Sequence, residues 1–144
     1  WYDFGPFTGI EGPQGPAGSG LSEVLHSESA TEQQTTNDQF QEKVSLSAIG
    51  LTGGEYRIGW YYEWRLNSVT RDFKAQVQVD DTLTIMSQQQ EAKDSGADQM
   101  YPASGFAYVN LTAGDHNIDL DWCCANLGDT ATIRRARLEI WKVS

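Results

Sequence analysis

Two cysteines, two histidines, four prolines and ten basic residues among 144 leave little material for several common chemistries. Cys123 and Cys124 are adjacent, and neighbours on an extended strand point to opposite faces, so a disulfide between them would be strained. They read as free thiols, with no nucleophile signature around them and a buried structural role for the one that faces inward with Leu120 and Trp122. Free thiols fit a protein folded in a reducing cytoplasm. Acyl transfer needs a nucleophile, a base and an orienting group, and neither His26 nor His116 sits in such a motif. His116, beside Asp115 at the entry to a strand, reads as a solvated polar residue.

Positive charge is scarce as well. Ten Lys and Arg stand against 20 Asp and Glu, a formal charge of -10, and an acidic surface repels phosphate backbones and anionic lipid. Nucleic acid is excluded as a partner. No run approaches the roughly 18 apolar residues of a membrane helix, and the N-terminus has neither a basic start nor a long apolar stretch, so neither a membrane span nor a secretion signal is read there. A chain that starts at Trp1 rather than Met reads as a fragment or a mature product. Amphipathic helical periodicity is missing throughout.

Large side chains are abundant. Aromatics make up 11% of the chain, with five Trp and six Tyr, which is too rich for disorder and sufficient for one ordinary domain plus an extension. Three segments follow: an aromatic N-terminal anchor (1–8), a stem (9–20) and a head (21–144). In GIEGPQGPAGSG, Gly9, Gly12, Gly15 and Gly18 recur every third residue with Pro13 and Pro16 behind glycine. Three polyproline II chains packed about an axis have room only for hydrogen at every third position, and this run would span roughly 37 Å at about 3.1 Å per residue. It is too short to trimerise unaided. Ahead of it, Trp1, Tyr2, Phe4 and Phe7 crowd apolar surface into a terminus that is normally polar, and such a surface needs a socket.

The head reads as strands. In EYRIGWYYEWRL, alternation puts Tyr56, Ile58, Trp60, Tyr62, Trp64 and Leu66 on one face and Glu55, Arg57, Gly59, Tyr61, Glu63 and Arg65 on the other. DFKAQVQV repeats the pattern, DDTLTIM follows an Asp-Asp turn, and SGFAYVNL joins DHNIDLDWCC through Thr-Ala-Gly. In the last segment, TATIRRARLEIWKV, Ile133 shares a face with Ala136, Leu138 and Ile140 only across a bulge near Arg134 and Arg135. The polar cluster TEQQTTNDQ reads as an exposed loop or a solvated edge strand. With weaker segments around Val24 and Val44 the count is about eight, and the fold class is all-β: an antiparallel β-sandwich, best as a jelly roll, with an extended collagen-like arm.

The acids supply no reaction. Asp80 and Asp81 occupy a turn and Asp119 and Asp121 share a strand face, but neither pair has an assignable partner or a calcium-loop spacing, so a solvated acidic face is expected, with no cofactor. Trp60 and Trp64 are expected in the core. Exposed recognition falls to Tyr61 and, in the loop QQQEAKDSGADQMYPASG, to Met100 and Tyr101. Asn110-Leu111-Thr112 is a glycosylation acceptor only if the chain is secreted.

The stem followed by an aromatic-rich β domain resembles bacteriophage fibre, spike and head-decoration proteins with collagen-like stems, and its plan is similar to the trimeric jelly-roll heads of the complement C1q and tumour necrosis factor class. The resemblance implies a non-enzymatic homotrimer on a virion surface, joined to the particle through its N-terminus and displaying its heads to a host-surface glycan or protein. A secreted carbohydrate-binding module is the competing expectation.

Overall fold

The computed structural model describes residues 24–143 apart from Ala97. The aromatic anchor and the glycine triplets lie outside the described residues. Nine strands are present among the described residues: β1 (Leu25–Ser29), β2 (Gln33–Thr35), β3 (Gln41–Leu51), β4 (Gly54–Leu66), β5 (Asp72–Val79), β6 (Leu83–Glu91), β7 (Tyr101–Leu111), β8 (Gly114–Cys124) and β9 (Ala131–Lys142). The extra strand is β2, three polar residues that pair with β9 beyond the end of β1, which makes part of the TEQQTTNDQ cluster an edge strand.

All pairings are antiparallel. One sheet runs β1-β9-β4-β7 with β2 on β9, and the other runs β3-β8-β5-β6. With β1 and β2 taken as two pieces of one interrupted edge strand, the chain changes sheet at every connection except the β5–β6 hairpin. That double Greek key is the jelly-roll arrangement.

The alternation in the sequence decides which face each sheet buries. Tyr62 and Trp64 from β4 meet Phe73 from β5 and Trp122 from β8, and all four side chains are almost completely buried. Trp64 stacks on Phe73 at 4.7 Å and 19°, and Phe73 lies 6.3 Å from both Trp122 and Tyr62. This column of rings ties one sheet to the other. Each full burial contributes on the order of 1.5–3 kcal/mol. The bulge required in the last strand is present: Tyr61 pairs Arg137 while Glu63 pairs Arg134, and the extra residue, Arg135, takes a left-handed φ of 48°. Ile133, Ala136, Leu138 and Ile140 thereby all reach the core.

Three expectations need correction. Trp60 is only half-buried, because its strand partner across the pair is Gly105 on edge strand β7; the indole lies where a Cβ on Gly105 would stand, 2.8 Å from Trp60 Cζ2, and reaches the open side of the sandwich. His116 is held rather than solvated: Nδ1 lies 2.7 Å from Asp80 Oδ2 and Nε2 lies 3.0 Å from the Thr112 carbonyl. The expected solvated acidic face holds for Asp80 and Asp81, which are exposed, but not for Asp119. Asp119 is 3% exposed and accepts from Asn117 Nδ2 at 2.9 and 2.7 Å. Cys123 and Cys124 are free thiols, both buried, and burial pushes the Cys123 thiol up to about 11.

Candidate functional site

The core faces of both sheets are closed, so recognition falls to outer faces, edges and loops. The outer face of the five-stranded sheet is built from three adjacent strands, β9, β4 and β7, in fixed register. One row across them is Trp141, Arg57 and Tyr108; the next is Glu139, Gly59 and Phe106; the third is Arg137, Tyr61 and Ser104. Period-two alternation turns all of these away from the core. The result is a three-by-three grid of outward positions with a glycine at its centre.

Rings crowd the grid. Phe106 and Tyr108 are 51% and 56% exposed, and they meet edge to face at 5.6 Å and 76°. The Arg57 guanidinium sits 4.0 Å over the Phe106 ring and 4.3 Å from that of Trp141, so one cation is clamped between two π-faces. Large exposed rings side by side on a folded domain mark a contact surface more often than scattered apolar residues do.

Charge is distributed unevenly between the sheets. Five of the six arginines (Arg57, Arg65, Arg134, Arg135 and Arg137) belong to β4 and β9, while Glu42, Asp119 and Asp121 lie together on β3 and β8 of the other sheet. Burial, then the neighbouring Asp119, Asp121 and Asp81, raises the Glu42 carboxyl above its ordinary range. Asp121 is raised first by burial, although Gln76 Nε2 donates to it at 3.2 Å. Among the described residues no group of three or more His, Cys, Asp or Glu side chains is arranged to hold a metal ion.

Within the grid the charges are paired. Arg137 Nε donates to Glu139 Oε2 at 3.4 Å and its Nη1 to Glu28 Oε2 at 3.2 Å, and Arg57 Nη1 lies 4.0 Å from Glu139 Oε1. One row further, Glu63 accepts from Arg134 Nε at 2.6 Å, from Arg135 at 3.1 Å and from the Tyr61 hydroxyl at 3.1 Å, with Arg134 the chief cause of its lowered carboxyl pKa. Over Gly59 these side chains leave a hollow of about 270 Å³. A second, wider hollow of about 630 Å³ opens between the edge strands β6 and β7, lined by Trp60, Met86 and glutamines; the Tyr62 hydroxyl donates to Gln88 there.

The candidate contacts read from the sequence separate. Tyr61 lies in the grid, 36% exposed. Tyr101 packs on Trp64 at 5.1 Å, and its hydroxyl accepts from the Asp94 N–H at 2.6 Å and donates to the Asp94 carbonyl at 3.2 Å, so it fastens its loop to the core. Met100 is half-buried just before β7. Phe106, Tyr108, Trp141 and Gly59 were not singled out by sequence reasoning. Their signal was parity: Val109 and Leu111 point inward, so Phe106 and Tyr108 must point outward, yet only the strand register sets them beside Arg57 and Trp141.

No family model and no curated protein sequence matches the chain. Solved structures do match in fold. The structure of Eiger TNF from S. frugiperda aligns with a TM-score of 0.61 at 10% identity, covering 86% of this chain and 94% of that one. The structure of dimeric latent PorU from Porphyromonas gingivalis aligns at 0.59 and 8% identity, covering 85% of this chain but 13% of that one. The EclA C-terminal domain, a sugar-binding protein, aligns at only 0.45 and 17% identity, covering 90% of this chain and 89% of that one, too loosely to bear on function. The first two likenesses are of fold alone: an antiparallel jelly-roll sandwich similar in fold to Eiger TNF.

Proposed function

We propose that the chain is the non-catalytic head of a homotrimeric attachment appendage, carried on its Gly-x-y stem, anchored to a particle such as a virion through Trp1, Tyr2, Phe4 and Phe7, and presenting its sandwich to a host-surface glycan or protein. The observation that supports this most directly is the outer grid. A jelly roll whose core is already complete keeps Phe106, Tyr108, Tyr61 and a clamped Arg57 at the surface, where they gain little from water. Glycine triplets add the symmetry, because a collagen-like stem imposes three chains.

The test has two arms. Light scattering of the full chain should give three times the 16.0 kDa chain mass; a stable monomer at micromolar concentration counts against the stem. Deleting residues 1–8 should abolish incorporation into particles while leaving the β-rich circular dichroism unchanged. Normal incorporation of the truncated chain would place the anchor in the head and reverse the polarity. The ion-paired polar hollow beside the rings favours a second reading, a secreted carbohydrate-binding module, which predicts that the native protein is absent from purified particles.

A further inference from the structure

We propose that the notch over Gly59 binds one neutral pyranose ring of a glycan, with the ring face against Phe106 and the hydroxyls shared among Arg57, Glu139 and Arg137. This deepens the reading of the head as a recognition module and rests on it. Gly59 occupies the middle of a central strand, where glycine weakens a sheet and offers nothing to pack. Its backbone does not explain it: the glycines with left-handed φ are Gly50, Gly54, Gly114 and Gly128, and Gly59 is not among them. What the glycine supplies is room for the Glu139 side chain, which lies across it with Oε1 3.0 Å and Cγ 3.1 Å from where a Cβ would stand, and so sets that carboxylate in the floor of the notch.

The size of the notch restricts the ligand. At about 270 Å³ it falls below the roughly 300–1,000 Å³ of sites that take drug-sized molecules, so it suits a single small ring with the rest of the chain lying over the sheet. Its electrostatics restrict the ligand further. Within the notch Arg57 and Arg137 share Glu139, and Arg137 also reaches Glu28 outside it, so each guanidinium already has a carboxylate partner. A carboxylated sugar would have to displace Glu139 from two guanidiniums and approach a chain of net charge -10. A neutral polyol avoids both costs, since each hydroxyl can donate to the carboxylate and accept from a guanidinium N–H. The wall is already set: Arg57 over one face of Phe106 and Tyr108 set nearly perpendicular to it hold the ring in place and leave its other face for the sugar, so little side-chain freedom is lost on binding.

The experiment is a glycan array carrying neutral and acidic oligosaccharides, probed with the full chain, followed by titration calorimetry with the best neutral ligand. Gly59→Val, a β-branched residue suited to a strand, should push the Glu139 side chain aside, close the notch and lower affinity at least about tenfold, with some loss of melting temperature because its Cβ would meet that side chain at 3.0–3.1 Å. Phe106→Ala should cost about tenfold by removing the stacking face. Phe40→Ser, an exposed ring preceding β3 and absent from the notch lining, should bind as the parent does. The proposal is overturned by an array with no retained glycan, by retention of acidic glycans alone, or by a Gly59→Val protein of undiminished affinity. If Gly59→Val fails to fold, Phe106→Ala decides, because its ring is half exposed. Particle incorporation reads the appendage role separately, so a head that enters particles yet binds no neutral glycan overturns this inference alone.

Discussion

Truncating Trp64 and Trp60 in turn should have very different effects, although the sequence places them on one face four residues apart. Trp64 is 1% exposed, stacked on Phe73 and tilted against Tyr101, with no route for water to replace it. Trp-to-Ala substitution in such a setting costs about 3–5 kcal/mol, and the lost ring contacts with two partners put Trp64→Ala near the upper end. Against a domain stability of about 5–15 kcal/mol, that is a large fraction, and it should lower the melting temperature by on the order of 10–30 °C. Trp60 lies at the mouth of the open side, beneath Gly105, where water enters the space its indole leaves. Its removal should cost about 1–2 kcal/mol, mainly the transfer term for a half-buried ring. Urea unfolding followed by circular dichroism measures both, with unchanged slope and shifted midpoint expected. Equal midpoints for the two variants would refute the claim that the β7 edge leaves Trp60 outside the closed core.

Two further outcomes follow from local geometry. The Asp80 hydrogen bond, with the Thr112 carbonyl, raises the His116 pKa above its ordinary 6.5; burial works against the ionised form of Asp80, but the Asn117 N–H and His116 outweigh it and lower that carboxyl. Stability from His116 is therefore full below pH 6.5 and lost as pH rises through its raised value, while that from Asp80 is present above 3.8 and lost as pH falls through its lowered value. In His116→Asn the parent's stability advantage should shrink between neutral and alkaline pH by urea titration; a pH-independent difference would show that His116 acts only by shape. Gly105→Ala should cost about 1–3 kcal/mol by driving a methyl into the Trp60 indole, and in a Trp60→Ala background most of that cost should vanish; additive effects in the cycle would mean that the two residues do not compete for one space.

The fold was largely legible because its strands bury one face each, and one-sided burial writes period two into the chain. Tyr62, Trp64 and Leu66 in β4 and the Phe73-to-Val79 set in β5 could be assigned by parity alone. Even the bulge at Arg135 was readable, since Ile133 and Ala136 cannot share a face without it. What parity does not carry is pairing. Trp60 is parity-identical to Tyr62, yet its exposure is set by a glycine 45 residues away on an edge strand. His116 was misread for the same reason: its partner Asp80 is 36 positions earlier, in a turn brought alongside by the β5–β8 register. The recognition grid fails hardest, because a glycine, two arginines and four rings from three strands become a site only when β9, β4 and β7 are set edge to edge.

The same registers fix the end of the sandwich at which the described chain begins. β1 begins at Leu25 opposite Ile140, and β4 begins at Gly54 opposite Leu111, so the chain enters the sandwich at the end that also holds the turns Leu51–Gly54, Val79–Leu83 and Leu111–Gly114. Asp80 and His116 join two of those turns, which stiffens the end at which β1 begins. The long loops between β4 and β5, β6 and β7, and β8 and β9 gather at the opposite end. Gly59 lies one residue beyond Ile58, the β4 residue level with the Leu25–Ile140 pair, so the notch sits on the flank near the start of β1 rather than among the distal loops. A single-ring contact at such a place is weak by itself. On the proposed trimer it occurs three times around the flank, and linked weak contacts gain through effective concentration by factors of about 10²–10⁴ when the spacing of the ligands allows simultaneous engagement. Adhesion by this head should then depend on how densely the glycan is displayed, and a soluble monosaccharide should compete poorly with a densely coated surface.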